Sequence, residues 1–217
     1  MTPRFAAAVD PVFLHVLGLL DRIARGENRH VQEERASIRA LLDQAGAKLG
    51  AGQQWELARY ALVCWIDEVL LEAPWDGRDW WNNNVLEVEM FKMREAAERF
   101  FFDAREAATL PQRDALEVFY VCAILGFRGL YRDPDAALSL THARNLPADL
   151  ETWVRQTSMA IHLGQGRPVI AEGGNPGEGA PPLQGQSFMV WAVLTGILLS
   201  AITFAIVIVS TLQNRMQ

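Results

Sequence analysis

Asp67 and Glu68 stand side by side in an apolar stretch, with residues 61–66 before them and Val69, Leu70 and Leu71 after. Paired carboxylates can serve as general acid and base, but neighbours on a helix project about 100° apart and do not easily converge on one bond. Three other readings are open for the pair: an ion pair that closes the core, a solvated helix edge, or a partner-binding surface. Glu27 and His30 have the Glu-x-x-His spacing of di-iron bundles. Such a site needs a second pair and further carboxylates, and His15, His142 and His162 provide none, so His30 reads as a surface loop histidine. Cys64 and Cys122 both lie in apolar runs and read as buried, reduced thiols, not as a bridge or a metal site. A phosphate-cradling glycine loop, an HExxH pair and a serine elbow are all absent from the sequence. No catalytic, cofactor-binding or metal residues are therefore expected.

Helices must position these residues. Residues 53–73 form one in which 61–66 are apolar all round, the mark of a helix buried on most sides. It carries Asp67 and Glu68 toward its C-terminal end, where acids oppose the macrodipole, and it stops ahead of Pro74. Residues 111–127 make a second central helix, apolar all round over 119–125. Amphipathic helices are expected over residues 11–25, with Pro11 near the start, and over 31–49, with Glu33, Glu34, Arg35 and Arg39 on the wet face. Another covers 85–105, with Glu95, Glu98 and Arg99 outside, followed by one over 134–144 and a last one opened by Pro147. Residues 74–84 are a loop whose Trp75, Trp80 and Trp81 pack on the core or on a partner. No stretch sustains a period-two alternation, so the fold class is all α.

Residues 188–212 contain no charge and would extend roughly 37 Å as a helix, against about 30 Å of hydrocarbon. They read as one transmembrane helix, and no other stretch is expected to be able to span, the next longest apolar run being residues 118–127. Within it Ala192, Gly196 and Ser200 recur every fourth residue, a stripe that admits close packing with a second span or reflects the usual composition of such helices. No ionisable residue lies in the span, which argues against ion or proton transport. Residues 165–186, rich in Gly and Pro, read as a flexible linker. The basic residues flanking the span, Arg167 and Arg215, do not settle its orientation. The start of the chain resembles an amphipathic helix more than an export signal, so the large domain is placed in the cytoplasm and residues 213–217 across the membrane. The net charge of −6 argues against binding a phosphate backbone, and no nucleic acid partner is expected.

Residues 60–75 (YALVCWIDEVLLEAPW), then 91–101 (FKMREAAERFF), then 116–132 (LEVFYVCAILGFRGLYR) resemble the DotU/TssL family of type VI secretion systems, called DotU or IcmH in type IVB systems. The resemblance is strongest at Ile66-Asp67-Glu68 and at Gly126-Phe127-x-Gly129-x-Tyr131. It implies a cytoplasmic domain of two three-helix bundles arranged as a hook, tail-anchored in the bacterial inner membrane and without enzymatic activity. It also implies partners: an IcmF/TssM-type inner-membrane protein, a TssJ-type lipoprotein reached through it, and baseplate proteins such as TssK and TssE. By the same resemblance Asp67 and Glu68 match an acidic pair near the cleft between bundles and are candidate partner-binding residues. Where the family has Gly-Gly-Glu or Ala-Gly-Glu before its paired phenylalanines, this chain has Ala96-Ala97-Glu98, which predicts a looser backbone approach there. No peptidoglycan-binding domain follows the span in this sequence, so wall anchoring is expected from another subunit.

The organisation expected is thus a helical domain over 1–164, a linker over 165–186, a span over 187–212 and a tail over 213–217. Membrane lipid and a second copy of the chain are further expected partners. The reading from another class is a membrane-tethered, metal-dependent helical enzyme or sensor, which metal bound to the purified soluble part would favour.

Overall fold

The computed structural model describes residues 1–27, 30–133, 137, 141, 144–164, 194–196, 200 and 203. The described residues are helical with no strand. The chain divides into two compact units, Met1–Pro168 and Val169–Gln217.

In the first unit the helices are α1 (Pro3–Ala24), α2 (Val31–Leu49), α3 (Gln53–Glu72), α4 (Arg78–Asn83), α5 (Leu86–Phe91), α6 (Ala96–Ala107), α7 (Asp114–Ile124) and α8 (Leu150–Gly164). A 3-10 turn, Gly129–Arg132, follows α7. α3 is the hub: its buried residues run from Trp55 to Leu70 and cover every face of the helix over 60–67. It packs against α7, α6, α4 and α5, while α1 packs against α2 and sets Phe13 on Trp65, ring centroids 5.1 Å apart. A second aromatic cluster joins α6, α7 and α8: Phe100 stacks on Phe127 at 4.0 Å and meets Phe119 edge-on at 4.8 Å, with Trp153 edge-on to Phe101 at 5.1 Å. Rings offset or edge-on in this way gain about 0.5–1.5 kcal/mol beyond the area they bury. Cys64 and Cys122 are free and buried, and burial pushes both thiols well above their ordinary range.

Several elements differ from those expected. α1 begins at Pro3, in the first turn after the N-cap Thr2, and runs straight through Pro11. Proline cannot donate to the carbonyl four residues back, so Ala7 O lacks its helical partner, and Lys48 Nζ at the end of α2 donates to it at 3.5 Å. α1 is also long and apolar enough to cross a membrane, with a mean hydropathy of 1.3 over an 18-residue window, a property expected only of 188–212. Here its inner stripe is packed in the domain, as in a core helix of a globular unit. Glu34 and Arg35 are not on a wet face: Glu34 is buried between His15 at 3.0 Å and Arg22 at 3.2 Å, and Arg35 lies over the rings of Trp80 and Trp81.

The helix expected over 85–105 is two helices. Lys92 turns left-handed at φ 59°, and the chain re-enters a helix only at Ala96. The expected loop 74–84 contains α4, which turns Trp81 fully inward. α7 starts at Asp114, three residues later than Pro111 suggested. Of the helix expected over 134–144, only Ala137, Thr141 and Arg144 are described, and all three are helical. The linker over 165–186 and the tail over 213–217 lie outside the described residues. Of the expected span, Leu194, Thr195, Gly196, Ser200 and Thr203 are helical, and the remainder lies outside.

Candidate partner-docking cleft

α3 delivers Asp67 and Glu68 one residue apart, and the helical turn between them sends the two carboxylates to different neighbours. Asp67 is 5% exposed and accepts three N–H donors: Trp81 Nε1 at 2.9 Å, Leu86 N at 2.9 Å and Glu87 N at 2.8 Å. Leu86 and Glu87 are the first two residues of α5, and its own N-cap, Val85, has no side chain able to accept from them. Asp67 is therefore a remote N-cap, supplied by another helix.

Glu68 does the equivalent for the 3-10 turn. It accepts from Arg128 N at 2.6 Å and from Gly129 N at 3.1 Å, and it pairs with Arg132 at 3.0 Å. Arg132 also holds Glu72, one helical turn on, at 2.8 Å. The pair cannot act on one bond, because each carboxylate is engaged with a different segment.

The device recurs. Glu87, 3% exposed, accepts from Tyr60 Oη–H and from Glu95 N, both at 2.8 Å, and so closes the break between α5 and α6. Gln54 Oε1 accepts from Ala115 N at 2.8 Å near the start of α7. Buried Asp114 accepts from Thr2 N at 2.6 Å and Thr2 Oγ1 at 2.8 Å, fixing the start of α1. Local sequence shows no capping box at these helices; of these acceptors only Asp67 and Glu68 stand out in the sequence, as acids in an apolar run.

Between these walls lies a cleft of about 270 Å³, lined by Asp67, Glu68 and Glu87 with Arg94 and Arg132, and by Cys64, Leu71, Val85, Ala96 and Ala97. Gly129 is essential to one wall. It sits at φ +51°, and a Cβ there would fall 2.8 Å from Ala97 O. The close backbone approach that Ala96-Ala97-Glu98 was expected to loosen is thus kept, with the glycine on the opposite side of the contact. Burial pushes the Asp67 carboxyl up to about 6, against the pull of its three N–H donors and of the Arg35 guanidinium. Burial likewise raises the Tyr60 phenol, next to Glu87.

Neither acid of the pair is presented as a free carboxylate. Asp67 is enclosed, and the Glu68 side chain is 11% exposed; at the rim Arg132 and Glu72 are about half exposed, at 51% and 45%. Among the described residues no three His, Cys, Asp or Glu side chains converge as metal ligands would. Glu27 pairs with Arg25 at 3.3 Å, and His30 is the exposed N-cap of α2. In the second unit Ala192 lies outside the described residues, while Ser200 Oγ donates to Gly196 O at 2.9 Å along the helix. That bond satisfies the hydroxyl internally and leaves both positions small.

The cytoplasmic domain of TssL from Acinetobacter baumannii has a similar fold: TM-score 0.58 at 22% identity, covering 74% of this chain and 98% of that one. No curated protein matches the chain. The model of the DotU family, described as type VI secretion system protein DotU, matches residues 4–212. The chain therefore belongs to the DotU family of type VI secretion system proteins.

Proposed function

We propose that this chain is a non-catalytic, tail-anchored subunit of a type VI secretion membrane complex in the bacterial inner membrane. Residues 1–164 face the cytoplasm, 165–186 form the tether, 187–212 cross the bilayer and 213–217 reach the periplasm. The observation that carries this reading is the family match, which runs to residue 212 and so takes in the apolar run together with the helical unit.

In this reading the helical unit is a hook of two three-helix bundles, and its cleft receives TssK- or TssE-type baseplate proteins. Asp67 and Glu68 hold the cleft walls, while Glu72, Arg94 and Arg132 at the rim meet the partner. Rim charges of this kind act on encounter rate and specificity more than on raw affinity. An IcmF/TssM-type protein packs beside the span, on the stripe of Ala192, Gly196 and Ser200 or on a second copy bound there, and links to a TssJ-type lipoprotein.

Purification of the tagged full chain from its host in mild detergent tests the reading. An IcmF/TssM-type protein and a TssK-type protein should co-purify; the absence of both refutes the assignment. Protease added to intact spheroplasts should spare the helical unit, and its digestion from outside would invert the topology.

A further inference from the structure

α1 carries more apolar surface than its packing uses. Its inner stripe, which includes Phe5, Val9, Val12, Val16, Leu19 and Ile23, is buried. On the other side Ala7, Asp10, Leu14, Leu17, Asp21 and Ala24 follow one another at alternating steps of three and four residues, and all six are exposed. Leu14 is 70% and Leu17 37% exposed. The mean spacing of 3.5 is that of a seam along which one helix meets another. The outer face of α2 repeats the spacing but carries no large apolar side chain: Gln32, Glu33, Ala36, Ser37, Ala40, Asp43, Gln44, Ala47 and Lys48 are what it shows to solvent. Single exposed leucines are ordinary on a protein surface, but two at adjacent seam positions, bracketed by carboxylates, are a pattern.

The charges indicate what fits. Asp10 makes no ion pair among the described residues, and Asp21 pairs at 3.0 Å with Arg25, both side chains being more than half exposed. The two acids stand roughly 16 Å apart along the helix, three turns, with the leucines between them. We propose that this seam docks an amphipathic helix of a partner protein whose apolar residues, at heptad spacing, are flanked by Lys or Arg. A second copy fits poorly. Antiparallel pairing that sets Leu14 against Leu17 also sets Asp10 against Asp21, and parallel pairing sets each acid against itself; both place like charges face to face at seam positions. A basic helix instead neutralises Asp10 and adds a second cation to Asp21 beside Arg25, and Ala7 and Ala24 leave room for its backbone at either end. This surface lies on a different element from the acid-walled cleft, and its assignment does not depend on the family.

The test uses the full chain in nanodiscs of zwitterionic lipid and a labelled synthetic peptide of about three heptads with Leu at the seam positions and Lys on the flanks. A twin peptide with Glu on the flanks is the control. By fluorescence anisotropy the Lys peptide should bind at least tenfold more tightly than the Glu twin. Asp10→Lys with Asp21→Lys should reverse the preference, and Leu14→Gln with Leu17→Gln should remove binding of both peptides while the circular dichroism melt stays unchanged. Equal binding of the two peptides, or binding that survives the leucine changes, overturns the proposal. So does a dimer in sedimentation that the leucine variant dissociates, which would assign the seam to a second copy. Lipid-vesicle binding lost in the same variant would overturn it in favour of the membrane surface.

Discussion

Asp67 and Glu68 perform the same task one residue apart in two unlike settings. Asp67 is sealed, and its oxygens meet only neutral donors: two backbone amides and an indole. Glu68 sits at an edge where its two amides share it with Arg132, which is half exposed and reaches Glu72 as well. A buried carboxylate held by dipoles has no substitute when it is removed, because water cannot reach the donors it leaves. At the edge, water and a neighbouring acid can both step in. One member of the pair is thus a fixed strut, and the other belongs to an ion network that a partner can rearrange.

The sharpest way to break this comparison is to delete the strut. Asp67→Ala strands three buried or half-buried donors at about 1 kcal/mol or more each, so a loss of about 3–4 kcal/mol is expected in urea or thermal unfolding. Asp67→Asn keeps one oxygen for Trp81 and Leu86 and turns an amide toward the Glu87 N–H, so roughly half that loss is expected.

pH should separate the two acids next. The Asp67 carboxyl is raised from an ordinary 3.8 to about 6, chiefly by burial. Between those values the folded state binds the proton and the unfolded state does not. The stability that protonation of Asp67 adds is therefore fully present below about pH 4 and is lost as pH rises through about 6, while the three hydrogen bonds to its oxygens remain. A shift of about two units corresponds to at most about 3 kcal/mol. The difference in unfolding free energy between the protein and Asp67→Asn, followed from pH 4 to 7, isolates this slope. A flat difference would show that the three donors cancel the effect of burial entirely.

How far the sequence reveals this site depends on how far away each partner lies. The extents of α2 and α3, the all-round burial of α3 and the burial of both cysteines follow from periodicity, which is local information; α7, equally apolar over 119–125, leaves Ile124 exposed at 55%. Asp67 and Glu68 stood out as acids in an apolar run, but the amides they cap come from α5, 19 and 20 residues on, and from the 3-10 turn, 60 and 61 residues on. No window of sequence contains both ends of those bonds. Glu34 and Arg35 were misread for the same reason: both looked solvated by helical phase, and His15, Arg22 and Glu89 on other elements enclose them. The break at Lys92 carries no Gly or Pro to announce it. Buried Glu87 accepting from Glu95 N is a contact that fits that turn and that helix periodicity does not reveal.

On the exposed side the expected effects shrink. Glu68→Ala frees the Arg128 and Gly129 amides at a margin that water reaches, and it should cost about 1 kcal/mol in the same unfolding assay. A loss as large as that of Asp67→Ala would mean that the edge is as rigid as the interior and that the contrast between the two acids fails.

Arg132→Ala should be the mildest change for the fold. Its guanidinium is half in water and bridges two carboxylates, a geometry that contributes less than about 0.5 kcal/mol. Glu68 keeps its two amide donors without it, so the 3-10 turn remains capped and the melt should be indistinguishable from that of the unaltered protein. What changes is the charge at the cleft rim, where Glu68 and Glu72 lose their shared cation. If the rim is where a baseplate protein docks, its association rate should change severalfold in surface plasmon resonance, and the change should fade as salt is raised. If the rate is unchanged while Asp67→Ala abolishes capture, the partner reads the shape that the strut maintains and not the charge at the rim.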